Sequence, residues 1–302
     1  MTNETDSLAE ALTRQLQSHI ERGNKPEASD IYLQLRGLSD NRPGLWKMLG
    51  HTGLELGYID EALDFLSRAV DREPADHATC FRYCQALARS GRHETAIELC
   101  TRLMNHHPDA AELHVNLANS LRMTGRTGDA VYHSRRALVL QPDYPAASIQ
   151  LAISLQTQGS FDEAISVLES ALEKHQNHPM LHFRLANLLV IQEKFNKALD
   201  AYRAAISSRP GFIQAWYRMA GVQLQLGHLD ESLSSYRQVR LLQPDMEDAA
   251  AGEAGILMMQ GHREAALGCI QPFIDNGTEN VSIIVQFAEL MQQYDRIDAA
   301  LA

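Results

Sequence analysis

The sequence predicts an all-α chain, an α-solenoid of stacked antiparallel helix pairs. Three ladders in a single register predict it. Steps of 34 residues from Gly125 land on Gly23, Gly57, Gly91, Gly159, Gly227 and Gly261, with Glu193 as the exception. Only 18 glycines are spread over the 302 residues, so abundance does not explain the alignment. The same step from Ala130 gives Ala28, Ala62, Ala96, Ala164, Ala198, Ser232, Ala266 and Ala300. From Pro142 it gives Pro74, Pro108, Pro210 and Pro244, with Gln176 where one more proline would stand. A period of this length marks a stacked repeat array.

Residues 111–144 show what one period builds. Leu113, Leu117, Ala118 and Leu121 recur at three- and four-residue steps, the pattern of an amphipathic helix. Gly125 closes it, since glycine tolerates the left-handed backbone at a helix end. A second apolar stripe, Ala130, Val131, Ala137, Leu138 and Leu140, forms the return helix, and Pro142 stops it. Ala118 and Ala130 are small because two backbones approach closely there. The Ala118 position repeats as Gly50, Cys84, Ala152, Ala186, Ala220, Ala254 and Ala288. One such pair cannot bury its apolar faces alone, whereas a stack shares a continuous core.

Within the units, the first helix carries a bulky residue, then leucine and a small residue, as in Trp46–Leu49–Gly50, Leu185–Ala186 and Trp216–Met219–Ala220. The second carries Ala198–Tyr202–Ala205, and proline closes the unit. In this the chain resembles the tetratricopeptide repeat family. The units fall at 43–76, 77–110, 111–144, 145–178, 179–212, 213–246 and 247–280. A weaker one precedes them at 9–42, with Leu16 at the small position, a partial one follows at 281–302, and residues 1–8 form a polar tail. The resemblance implies one right-handed superhelix over 9–302, with first helices lining a concave groove that holds a protein or peptide ligand.

The resemblance also implies which residues face that groove: the second, fifth, sixth, ninth, twelfth and thirteenth of each unit. These positions give Phe81, Arg82, Asn116, Asn119, Gln150, Phe183, Arg184, Asn187, Tyr217 and Arg218 as the expected peptide-binding residues. Formal net charge is −11, yet the inward positions of 77–246 carry Arg82, Arg89, Arg122, Arg184 and Arg218 against Glu112. A positive, aromatic-flanked groove in an acidic chain points to an extended ligand with acidic side chains. Asn116, Asn119 and Asn187 resemble part of the asparagine ladder of the O-GlcNAc-transferase repeat domain. Arginine replaces asparagine at 82, 184 and 218, so continuous backbone clamping is not expected. Lys47 matches one position of the clamp that chaperone-binding members close on a C-terminal carboxylate, but His51 and Arg82 break that set.

Catalytic chemistry is not expected. The chain has no Gly-rich phosphate loop, GxSxG elbow or HExxH. Cys80, Cys84 and Cys100 lack the four-ligand spacing of structural zinc and read as core thiols, as does Cys269. His175, His178 and His182 read as solvent-exposed loop histidines. No cofactor is expected, nor a nucleic acid or membrane partner. The absence of a 20-residue apolar run and of disulfide signals suggests a cytoplasmic protein. The alternative is the N-terminal region of a larger bacterial enzyme, of sulfotransferase or glycosyltransferase type.

Two stretches depart from the pattern. "DAAAGEAGILMMQG" places Gly252 and Gly255 at inward positions, and Pro272 should kink or end the following helix. This reads as a soft, open section able to admit a helix or another subunit. The last unit reads as stopping partway into a second helix, with an uncovered apolar stripe at Phe287, Ala300 and Leu301 through which copies could pair.

Overall fold

The computed structural model describes residues 2–39 and 42–301, and the side chains of 6–39 and 42–292. By internal contacts the chain divides into two units, Met1–Ser160 and Phe161–Ala302. The first holds α1 (Thr2–Glu21), α2 (Lys25–Gly37), α3 (Pro43–Leu56), α4 (Ile59–Arg72), α5 (His77–Arg89), α6 (His93–Met104), α7 (Ala111–Met123), α8 (Thr127–Leu140) and α9 (Pro145–Gln158). The second holds α10 (Phe161–Lys174), α11 (Pro179–Ile191), α12 (Phe195–Ser208), α13 (Ile213–Gln225), α14 (Leu229–Leu242), α15 (Glu247–Met259), α16 (Arg263–Asp275) and α17 (Val281–Leu301). From Lys25 to Val281 every helix starts one 34-residue step from its counterpart in the next pair. Within each unit successive helices pack antiparallel, the stacking of an all-α solenoid.

The ladders explain the turns and the packing. Every ladder glycine has φ between 71° and 95°. At the turn after α7, Arg126 N–H donates to the Leu121 carbonyl at 2.8 Å, the six-residue bond that closes a helix end. Glu193, the one exception, takes φ 56° and makes the same closure, with Lys194 N–H donating to the Leu189 carbonyl at 2.8 Å. At the small position of α3, a Cβ on Gly50 would lie 2.6 Å from Leu66 Cγ, so the approach of α4 leaves no room for a side chain.

The core of the first unit runs from Leu16, Tyr32, Leu35 and Leu49 through Leu66, Leu87, Leu103 and Leu113 to Ala137 and Ala147. Each of these fully buried leucines contributes about 2 kcal/mol of burial. All four cysteines are buried and free, as core thiols should be. In the second unit Tyr236, Val239, Ala254, Ile256, Leu257 and Ile270 form the corresponding core. Carboxylates on the second helices meet arginines one unit away: Arg36 with Glu61, Arg92 with Asp60, and Arg102 with Asp71 at 3.0 Å.

Three expectations are corrected. α15 is not an open section: Ala249, Ala250, Ala251, Ala254, Ile256 and Leu257 are buried, and its bareness is what lets neighbours close on it. The Tyr236 ring fills the space beside Gly252, and Gln286 Nε2 donates to the Ala251 carbonyl at 3.0 Å. Pro272 does not end α16, which continues to Asp275 with the proline inside it. Finally, α17 is one continuous helix of 21 residues rather than a helix, a turn and a second start. Asp295 stands at its glycine position, and the backbone stays helical through it. Phe287 packs against the α15–α16 core, while the side chains of Ala300 and Leu301 lie outside the described residues.

Candidate functional site

The first-helix faces of the two units differ in what they leave accessible. In the first unit, α5 presents Arg82 and Arg89 exposed and Phe81 half-buried. They line a cavity of about 780 Å³ with Leu54 and Glu55 from the end of α3, Ile59 from α4, and Gln85. Glu55 Oε1 lies 3.7 Å from Arg82 Nη1, with both side chains about half exposed. Beyond Glu55 a second hollow of about 480 Å³ runs between α1 and α3, lined by Leu16, Ile20, Lys47, Met48 and His51.

One of these groups is already engaged. Lys47 is ion-paired with Asp76, which also caps α5 by accepting from Thr79 N–H at 3.4 Å. Burial alone would raise the Asp76 pKa, but the hydrogen bonds from Lys47 and Thr79 hold it below the usual carboxylate value. The His51 imidazole is pushed down by burial first, then by Arg82 and Lys47, so it is neutral at pH 7. The clamp position that Lys47 matched is therefore occupied from within.

The expected amides sit deeper than the resemblance implied. Asn116 and Gln150 are both buried, on α7 and α9. Asn116 Nδ2 has no hydrogen-bond partner among the described residues, and Gln150 Nε2 reaches Ser154 Oγ at 3.5 Å. Asn119 is half-buried and accepts from Arg122 Nη2 at 3.2 Å.

In the second unit Arg218 is exposed on α13, beside Tyr217, which is half-buried edge-on to Tyr236 at 5.8 Å. The Tyr217 hydroxyl is pushed up by burial, then by Asp248, with Arg218 opposing. Phe183, at the position equivalent to Phe81, is buried instead: its ring centroid lies 4.9 Å from Phe212 and 6.1 Å from Tyr202. Arg184 is half-buried, its guanidinium carbon 5.9 Å from the Phe183 centroid. Asn187 Oδ1 accepts from the Tyr202 hydroxyl at 2.6 Å, leaving its amide hydrogens. A ring beside an exposed guanidinium is thus presented at Phe81–Arg82 and Tyr217–Arg218, and not at Phe183–Arg184.

No group of three potential metal ligands occurs among the described residues, and no helix there is long and apolar enough to cross a membrane. His175, His178 and His182 are half-buried rather than exposed. His178 Nδ1 accepts from Leu181 N–H at 3.3 Å, capping α11, and His182 Nε2 lies 2.6 Å from the Gln176 carbonyl oxygen.

Models of the tetratricopeptide repeat match residues 54–118, 149–211 and 213–246, together more than half of the chain. The chain is a tetratricopeptide repeat protein. Proteins of this family bind protein or peptide partners. Among curated proteins no sequence relative is found. A solved tetratricopeptide repeat protein from Parabacteroides merdae is 15% identical with a TM-score of 0.57, over 82% of this chain and 98% of that one. A thermophilic one from Thermus thermophilus is 21% identical with a TM-score of 0.51, over 60% and 98%. At these identities the likeness is one of fold.

Three features of this tetratricopeptide repeat array escaped the sequence reading. Glu55 stands at the thirteenth place of its unit, the place Arg89 holds in the next, so the signal was present. Glu253 stands at the seventh place, where Leu49, Leu117, Leu151 and Leu185 stand elsewhere. His114 and His133 meet across α7 and α8, 19 residues apart, the separation that also brings Phe183 to Tyr202 and Tyr217 to Tyr236.

Proposed function

We propose that the chain is a non-catalytic scaffold whose first-helix faces bind extended protein segments carrying acidic side chains. The observation that carries this reading is the exposed arginines of α5 and α13, each set beside a ring. In a chain of net charge −11, Arg82 and Arg89 in one unit and Arg218 in the other stand exposed on first helices, with Phe81 or Tyr217 beside them. A guanidinium binds a carboxylate through paired hydrogen bonds, and the neighbouring ring takes an apolar side chain. The unengaged amide hydrogens of Asn187 are suited to a backbone carbonyl of such a segment. Four buried thiols and the absence of any reactive constellation among the described residues fit a cytoplasmic scaffold.

The test is a fluorescein-labelled ten-residue peptide of alternating leucine and glutamate, with a leucine–glutamine peptide as control. The glutamate peptide should bind and weaken as salt rises. The Arg82→Ala, Arg218→Ala double variant should bind about tenfold more weakly, the loss of one to two charge-assisted hydrogen bonds, with unchanged far-UV circular dichroism. Unchanged affinity and unchanged salt dependence in that variant would sink the reading.

A further inference from the structure

We propose that the cavity between α3, α4 and α5 is a specificity pocket for one apolar side chain next to a carboxylate, and that Glu55 is its built-in competitor. This rests on the acidic-segment reading above and says which part of the first unit selects the segment. The pocket has an apolar floor, made by Leu54, Ile59 and Phe81, and a cationic rim, made by Arg82 and Arg89. Seven residues apart on one helix, the two guanidinium-bearing positions are about 10 Å apart along its axis. An extended segment crossing the cavity can therefore reach both.

The rim is only loosely occupied. At 3.7 Å the Glu55–Arg82 pair is well beyond the 2.7–2.9 Å of a charge-assisted hydrogen bond. Both partners reach solvent, where such pairs are weak. Arg89 has no ion pair among the described residues. The nearby Lys47 is held by Asp76, and His51 is neutral, so Arg82 and Arg89 are the cations this cavity offers. A ligand carboxylate that meets Arg82 in paired hydrogen bonds replaces the Glu55 contact with a shorter one. Glu55 thus imitates the ligand's own charge: it partly neutralises Arg82 in the empty protein, and an incoming carboxylate has to displace it.

An environment-sensitive dye on Gln85→Cys reports this cavity alone, because Gln85 is exposed on its wall and the four native thiols are buried. Titrated with the alternating leucine–glutamate peptide, the dye should respond saturably. Glu55→Gln should tighten binding about two- to fivefold, the range expected of an exposed ion pair. In an Arg82→Ala background the same change should do nothing. Ile59→Gln, at an exposed helix start, should weaken binding about threefold by removing apolar floor. If Glu55→Gln leaves affinity unchanged, or tightens it equally without Arg82, the competitor role is wrong while the acidic-segment reading stands. If the dye does not respond while the labelled peptide still binds the protein, the pocket is wrong and the ligand sits elsewhere. If the peptide does not bind at all, both readings fall.

Discussion

Arg240 Nη1 donates to Glu253 Oε2 at 2.7 Å, and Arg237 Nε donates to the other oxygen at 2.9 Å, so a buried carboxylate on α15 is held by two arginines of α14. Glu253 occupies a place that is leucine in four other units. Removing it leaves a void and two guanidiniums without their acceptor. Glu253→Ala should therefore destabilise the second unit by about 2 kcal/mol, less than for a fully enclosed pair because Arg237 reaches solvent. Glu253→Leu should lie within about 1 kcal/mol of the parent, since well-packed apolar replacements of buried ion pairs are close to neutral. Denaturant midpoints of the two variants check the ordering.

The first unit should lose stability on mild acidification. His114 Nδ1 and His133 Nδ1 are 2.9 Å apart, so one donates and the other accepts, and the accepting ring must be neutral. Burial, then His133 and Arg136, push the His114 pKa down to about 4, and burial also lowers that of His133. Between the ordinary value of about 6.5 and about 4, the unfolded chain binds more protons than the folded one. The stabilisation is complete above that window and is lost as pH falls through it. His114→Phe should flatten the stability–pH curve between pH 6.5 and 4; an unchanged slope would show that the pair does not couple to protons.

Two first-helix glycines should respond oppositely to alanine. A Cβ on Gly252 would meet the Tyr236 ring at 2.5 Å, and that ring is buried and pinned edge-on by Tyr217. Gly252→Ala should cost about 1–3 kcal/mol as an overpacking change. At Gly221, inside α13, nothing lies within 4 Å, and alanine should stabilise by about 0.5–1 kcal/mol through helix propensity. Thermal melts of the two variants should move in opposite directions.

The period made the helices legible because helix starts, turn conformation and close contacts are all fixed by residue type at set places. Gly50 is small because Leu66 lies there, and the ladder shows it. The binding faces were less legible, since equal places in the period need not have equal surroundings. Phe81 lines a cavity while Phe183 is buried, because Phe212 and Tyr202 close over the latter and no such pair covers the former. Asn116 and Gln150 look like groove residues by position, yet both are buried. α15 looked open because few large side chains are written there. Its large side chains come instead from α14 and α17, which a single-helix reading does not see.

Glu193 carries a last consequence. It holds φ 56° at the one turn without glycine, and that turn closes with the same hydrogen bond as its counterparts. The left-handed step is thus enforced by the helices on either side rather than granted by the residue that makes it. At Glu193 the phase of the array is held by its packing, whereas at Asp295, also without glycine, the helix runs on.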